Sequence, residues 1–168
     1  SSLPEDGWQI KFRHLVFKVQ PTGFGHIGIF PEQASNWLWI IDQLKKLNGE
    51  KIKVLNVFGY TGASTLAAAS AGAHVTHLDA SKGSVNWARE NLELSGLGDR
   101  PVRWIVEDAM KYMQREHRRG NKYDAIIMDP PSFGRGPRGE IWQIEDKLSE
   151  FMEACQNIIS DSPSFLLF

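Results

Sequence analysis

Four short segments that can do ligand chemistry each follow a predicted buried strand. Asp79 ends the strand next to the first one, where a carboxylate can accept hydrogen bonds from both hydroxyls of a ribose. Asp108-Ala109 lies one strand further out, where it can meet the amino group of an adenine. Glycines let a backbone approach a ligand closely. The four segments are Gly59-Tyr60-Thr61-Gly62, Asp79, Asp108-Ala109 and Asp129-Pro130-Pro131-Ser132-Phe133.

Each segment also has an ordinary structural explanation. A glycine-rich turn joins any strand to any helix, and an aspartate at a helix start is a common N-cap. Asp-Pro-Pro can be no more than a rigid loop. The case for a ligand site is that all four segments come to one edge of one sheet, where open parallel sheets bind their ligands.

The elements that must position these segments alternate between strand and helix. Such alternation predicts a parallel sheet covered by helices on both faces, an α/β fold of the Rossmann-like type. Strands are predicted at residues 52–58, 75–79, 102–107, 123–128 and 165–168, and helices at 62–72, 81–95, 108–119 and 145–159.

A smaller region precedes this pattern. Residues 8–30 alternate in polarity and contain a turn signal, so a small β extension is predicted over 1–30 and the ligand-binding domain over 31–168. A helix opens at Pro31-Glu32-Gln33 and ends at Asn48-Gly49. The sequence closes on an apolar strand, and we expect further strands of the sheet beyond residue 168.

Composition excludes several classes of protein. The 168 residues have a formal net charge of -1, which argues against a chain devoted to coating nucleic acid but allows one local basic face. The chain contains no apolar run of membrane-spanning length and no signal-peptide pattern. One cysteine, Cys155, permits no internal disulfide and no Cys/His metal site, so we expect no metal and a cytoplasmic location. Oligomeric state is left open.

Two common nucleotide-binding motifs are absent. The dinucleotide fingerprint G-x-G-x-x-G is not matched, because the first turn reads Gly59-x-x-Gly62-Ala63. The phosphate-binding P-loop requires a lysine that does not follow these glycines. An adenosine ligand held without a phosphate cradle therefore fits the spacing best.

The motifs together resemble those of class I S-adenosylmethionine (SAM) dependent methyltransferases. The residues Asn56-Val57-Phe58-Gly59-Tyr60-Thr61-Gly62 are similar to motif I in the bacterial large-subunit (23S) ribosomal RNA methyltransferases that act on cytosine C5 or guanine. Asp79-Ala80-Ser81 resembles the family's ribose-binding motif, and Asp108-Ala109 resembles its adenine-binding motif. Asp129-Pro130-Pro131-Ser132-Phe133 resembles its fourth motif. The segment before motif I is matched by His26-Ile27-Gly28-Ile29-Phe30-Pro31-Glu32-Gln33.

This resemblance implies SAM as cofactor, a base in RNA as substrate and a role for each matched residue. The methionine part of SAM would lie over the loop formed by Phe58, Gly59, Tyr60, Thr61 and Gly62. Gln33 would help to close this pocket. The ribose would be held by Asp79 and the adenine would lie beside Ala80, Ser81, Asp108 and Ala109. Asp129 and Pro130 would line the methyl-transfer channel, where Asp129 would also contact the cofactor. Phe133 would stack on a flipped base, and Ser132 would have a backbone or hydrogen-bonding role.

The chemistry at the target stays open. Cytosine-C5 members of this family use a cysteine beyond the fifth strand, a position that this sequence does not reach, and Cys155 is predicted to be a core residue of the fourth helix. Alternatives are a methyltransferase for a small molecule or a protein, a module that has kept the fold without catalysis, and a nicotinamide-dependent oxidoreductase. Residues 134–139, rich in glycine and arginine, favour a flexible lid over the reaction centre.

Overall fold

The computed structural model describes residues 6–23, 25–48, 51–131, 133–135 and 141–168, with side chains at all of these except 133–135 and 141–142. Its strands are β1 (Trp8–Phe12), β2 (Leu15–Val19), β3 (Lys53–Val57), β4 (His74–Asp79), β5 (Val102–Val106), β6 (Ala125–Met128), β7 (Phe133–Arg135), β8 (Ile141–Gln143) and β9 (Phe165–Leu167). The helices are α1 (Ala34–Lys46), α2 (Ala63–Ser70), α3 (Lys82–Leu94), α4 (Ala109–Arg118) and α5 (Ile144–Ile158), with a 3-10 turn at Pro31–Gln33 before α1.

Five parallel strands form the central sheet, in the order β5-β4-β3-β6-β9. The fold class predicted from the sequence is confirmed, and the predicted strand and helix positions agree to within a few residues. Strand order reverses between β3 and β6, so the chain diverges there and leaves a crevice at the carboxyl ends of these strands. The loops after β3, β4, β5 and β6 therefore share one edge of the sheet.

Both faces of the sheet are buried, as the uninterrupted apolar runs require. Val54 of β3 belongs to a cluster that includes side chains of α1, α2 and α3. Leu55 points to the opposite face and belongs to a second cluster with α4 and α5. This alternation along one strand fixes which helices flank each side of the crevice.

The N-terminal hairpin, β1 paired antiparallel with β2, lies against α3. Side chains of α3 satisfy the free edge of β2: Asn91 Oδ1 accepts from the Lys18 N–H at 2.8 Å, and Trp87 Nε1 donates to the Lys18 carbonyl at 2.9 Å. Ser95 Oγ accepts from the Val16 N–H at 2.8 Å. The edge of this hairpin is thus closed by a helix, which prevents pairing with another strand.

The segment after β6, the fourth strand of the predicted sheet, differs from its prediction. A loop was expected over 134–139 with helix from 145, but β7 pairs antiparallel with β8 as a short ribbon: Gly134 lies opposite Trp142 and Arg135 opposite Ile141. Residues 136–139 of the expected lid lie outside the described residues. Three-residue strands carry too little alternation to be read from sequence.

None of the helices in the described ranges is long and apolar enough to cross a membrane.

Asn91 provides a test of how the hairpin is attached. Its buried amide bonds both the Lys18 N–H and the Thr61 carbonyl. Asn91→Ala leaves both backbone groups unsatisfied, so the free energy of unfolding should fall by about 2–4 kcal/mol in urea titrations. Asn86→Ala, on the exposed face of the same helix, should change it by at most about 0.5 kcal/mol. Equal effects of the two substitutions would contradict this attachment.

Candidate functional site

The glycine loop, residues 58–62, joins β3 to α2 at the crevice. Its backbone is held in an uncommon conformation: φ is 57° at Phe58, 49° at Tyr60 and 93° at Gly62. Non-glycine residues with positive φ cost roughly 1–3 kcal/mol and persist where surrounding contacts enforce them. Two hydrogen bonds do so here, from the Gly59 N–H to the Leu78 carbonyl and from the Gly62 N–H to the Gly59 carbonyl, both at 3.0 Å.

Both glycines of the loop are required by the protein beneath it. A Cβ on Gly59 would lie 2.4 Å from the His77 ring, and one on Gly62 would lie 2.8 Å from the Ala88 Cβ. From the sequence, both glycines were predicted to let a ligand approach the backbone closely. Their packing in the structure has another physical cause, the close approach of the loop to β4 and α3.

Asp79, the last residue of β4, anchors this loop. Its Oδ2 accepts from the Tyr60 N–H at 3.0 Å, and its Oδ1 accepts from the Ser81 N–H at 2.8 Å. Partial burial, and then the negative charge of Asp79, raise the pKa of the Tyr60 hydroxyl. Each carboxylate oxygen can accept more than one hydrogen bond, so the half-buried Asp79 retains capacity for the hydroxyls of a ribose.

Thr61 links the loop to the N-terminal segment. Its buried hydroxyl donates to the Gly28 carbonyl at 2.5 Å, while its own carbonyl accepts from Asn91 Nδ2 at 2.9 Å. Beside it, the Tyr60 hydroxyl lies 3.2 Å from His26 Nδ1. The segment before α1 was predicted to pack near this loop, but Asn91 was missed because a lone asparagine in a helix carries no sequence signal for such a bridge.

A buried polar network supports the loop from below. Asn56 Nδ2 donates to Thr65 Oγ1 at 2.9 Å, and Thr65 Oγ1 lies 2.8 Å from His77 Nδ1. Thr65 Oγ1 accepts from Asn56 and forms one further hydrogen bond with His77 Nδ1, whose direction depends on the tautomer of the ring. Burial lowers the pKa of His77 to about 4, partly offset by the neighbouring Tyr60 main chain. His77 is therefore neutral at physiological pH.

The predicted adenine-side residues lie at the helix starts that follow β4 and β5. Ser81 Oγ caps α3 by accepting from the Ser84 N–H at 3.2 Å, and Asp108 Oδ1 caps α4 by accepting from the Lys111 N–H at 2.9 Å. Ala80 and Asp108 are exposed, and Ala109 is buried. The ordinary capping explanation thus holds for both polar residues, while the second oxygen of the Asp108 carboxylate adds acceptor capacity at the same edge.

Asp129 and Pro130 follow β6, on the far side of the crevice from Asp79. Asp129 is exposed on the surface of the chain, yet surrounding protein atoms, and then the Glu32 carboxylate, raise its pKa. Glu32 belongs to the 3-10 turn before α1, so the charge of that turn acts on Asp129. Gln33 is held at the same turn, its Oε1 accepting from Asn36 Nδ2 at 2.7 Å.

Two of the predicted channel residues have no described side chain. Ser132 lies outside the described residues, and Phe133 is described only by its backbone pairing with Gln143. Across the described ranges, no group of three His, Cys, Asp or Glu side chains is arranged to hold a metal ion. Cys155 is buried, and burial raises the pKa of its thiol to about 11, so it is an inert core residue.

A parallel sheet whose strand order reverses beside a glycine loop, with a carboxylate closing the neighbouring strand, defines an α/β domain of the class I methyltransferase type. The chain belongs to the S-adenosylmethionine-dependent methyltransferase family, whose model matches residues 1–153. The cofactor of this family is SAM, as the sequence predicted.

Proteins similar to this chain are also named as methyltransferases. The chain is 32% identical over 149 residues to "Ribosomal RNA large subunit methyltransferase K/L" of Shewanella frigidimarina, which covers 86% of this chain and 20% of that protein. A crystal structure of a SAM-dependent methyltransferase from Agrobacterium tumefaciens is 48% identical, with a TM-score of 0.88 over 96% of this chain and 51% of the other.

A second solved structure contains a product of the cofactor. The crystal structure of SMU.776 complexed with SAH is 27% identical, with a TM-score of 0.83 over 96% of this chain and 41% of the other. The chain thus spans about a fifth of the length of the curated relative and about half or less of the length of these two solved chains.

The buried His77 gives the fold a pH dependence. Its pKa is about 4 in the folded chain and 6.5 when unfolded. The unfolded state binds the proton first as pH falls, so stability is lost between pH 6.5 and 4, by about 3 kcal/mol from this residue. His77→Asn should remove this part of the pH dependence in urea titrations. His74→Asn, at an exposed position of the same strand, should keep it. An unchanged pH profile in His77→Asn would contradict the assignment.

Proposed function

We propose that this chain binds SAM at the carboxyl edge of β3, β4 and β5 and transfers its methyl group to a base in RNA, most specifically ribosomal RNA. The observation that carries the cofactor part is the Asp79 carboxylate bound to the N–H of Tyr60, because it places an acceptor for ribose hydroxyls directly beside the glycine loop. The RNA part is supported by the similarity to the ribosomal RNA large subunit methyltransferase of Shewanella frigidimarina.

In this proposal, each part of the cofactor is bound by residues at the end of a different strand. Asp79 orients the ribose, with Ala80 and Ser81 beside the adenine and Asp108 and Ala109 at its edge. The loop at 58–62 and Gln33 enclose the methionine part. Holding donor and acceptor in line at near-attack distance can contribute roughly 7–11 kcal/mol toward the reaction barrier.

The bound SAM supplies a methyl group on a sulfonium, and transfer breaks the S–CH₃ bond, forms a bond to the acceptor and leaves S-adenosylhomocysteine. Asp129 lies where the acceptor enters, across the crevice from Asp79. Its carboxylate can accept a hydrogen bond from an N–H at the edge of a base and so orient the acceptor atom. Pro130 fixes the backbone beside it, and we assign Ser132 and Phe133 to the same channel.

The test is methyl transfer from tritiated SAM to large-subunit ribosomal RNA by the full-length protein. Label should appear in the RNA and disappear after RNase treatment. Asp129→Asn should lower kcat roughly 10- to 100-fold, because the acceptor of this hydrogen bond loses its charge, with a smaller effect on SAM affinity. Asp161→Asn, an exposed aspartate in the turn before β9, is the matched control.

Two outcomes would overturn parts of this proposal. Label that resists RNase and appears in protein or in small molecules would assign a different substrate class to the same cofactor site. Full activity of Asp129→Asn would remove Asp129 from the channel while leaving RNA as the substrate.

A further inference from the structure

Phe30 is an exposed aromatic residue at the border of the site. It is 40% exposed and follows two buried residues, Gly28 and Ile29. One side of the ring packs into an aromatic cluster formed by His26, Phe30 and Tyr60. The ring centroids in this cluster lie 5.3 Å apart for His26–Phe30 and 5.8 Å apart for Phe30–Tyr60.

The aromatic cluster is rigidly attached to the glycine loop. The Tyr60 hydroxyl lies 3.2 Å from His26 Nδ1, and the two rings meet edge to face at 5.8 Å. The main chain of Phe30 is fixed as well, because its carbonyl accepts from the Gln33 N–H at 3.0 Å. Phe30 is thus an apolar surface in a fixed place, and little conformational entropy would be lost when a ligand covers it.

The position of Phe30 indicates which ligand that is. The proposed sites for ribose and adenine lie at the ends of β4 and β5, on one side of β3, while Asp129 follows β6 on the other side. Phe30 packs on Tyr60 in the loop after β3, and β3 pairs with β6, the strand that Asp129 follows. The ring therefore lies at the loop after β3, next to the strand that Asp129 follows, and we infer that it borders the entry for the methyl acceptor.

Chemistry at this border selects a planar ligand with polar edges. An apolar ring face favours stacking, and nearby carboxylates accept hydrogen bonds from N–H groups. A nucleobase that has left its helical stack presents both features at once. A protein side chain with an aliphatic amine would gain the carboxylate contacts but would leave the ring face unstacked.

We propose that Phe30 is the surface on which the target base stacks when it enters the methyl-transfer channel. This inference rests on the proposed function and adds to it a residue that selects for a base. The aromatic cluster holds the ring in place, so His26 is a positioning residue and Phe30 contacts the substrate.

The test compares variants of Phe30 in the full-length protein with large-subunit ribosomal RNA as the probe. Phe30→Leu keeps apolar bulk and removes the π face, so kcat/KM for RNA should fall roughly 10- to 100-fold. SAM affinity by calorimetry should stay unchanged. Phe30→Tyr restores a π face and should return kcat/KM to within about threefold of the original value.

Trp39 provides the matched control. It is 39% exposed on α1 and packs against Phe165 at the edge of the sheet, away from the aromatic cluster. Trp39→Leu should therefore leave methylation of RNA unchanged. If Phe30→Leu behaved like Trp39→Leu, the stacking role would be wrong while the RNA methyltransferase function stood.

Two further results would also overturn the inference. A parallel loss of SAM affinity in Phe30→Leu would assign the ring to the cofactor. Absence of RNA methylation by the unmodified protein, with SAM binding intact, would overturn the proposed function itself, and the stacking role with it.

Discussion

The hydrogen bonds of the Asp79 carboxylate are the constraint on which the site depends. One oxygen holds the Tyr60 N–H of the glycine loop and the other holds the Ser81 N–H at the start of α3. A single side chain thereby fixes the relative positions of the segments that follow β3 and β4. In the proposed function the same carboxylate also binds the ribose of SAM, so one side chain both shapes the site and holds the cofactor.

The strained loop is stable because contacts enforce it from three directions. Asp79 binds it from β4, the Asn56–Thr65–His77 network lies beneath it, and Asn91 binds its Thr61 carbonyl from α3. Asn91 also binds β2, which makes the N-terminal hairpin part of the support of the loop. A change in the hairpin can therefore reach the site through one buried amide.

Sequence patterns predicted the sheet, its helices and the residues at the strand ends, because two-sided burial and helix capping leave strong local signals. Asp79 and Asp108 follow directly from these signals. The packing role of Gly59 was not predicted, since its contact with His77 is a relation between neighbouring strands that no local pattern contains. The β7–β8 ribbon and the bridge by Asn91 were missed for the same reason: both depend on pairing between segments, not on composition within one.

Calorimetric titration of the full-length protein with SAM tests the central claim most directly. The structure predicts saturable binding that weakens roughly 10- to 100-fold in Asp79→Asn, because charged hydrogen bonds to the ribose are lost. Asp99→Asn, an exposed aspartate after α3, should bind as the original does, and thermal melts should show all three proteins folded. Equal SAM affinity in the Asp79→Asn variant, or no saturable binding by the folded protein, would contradict the account.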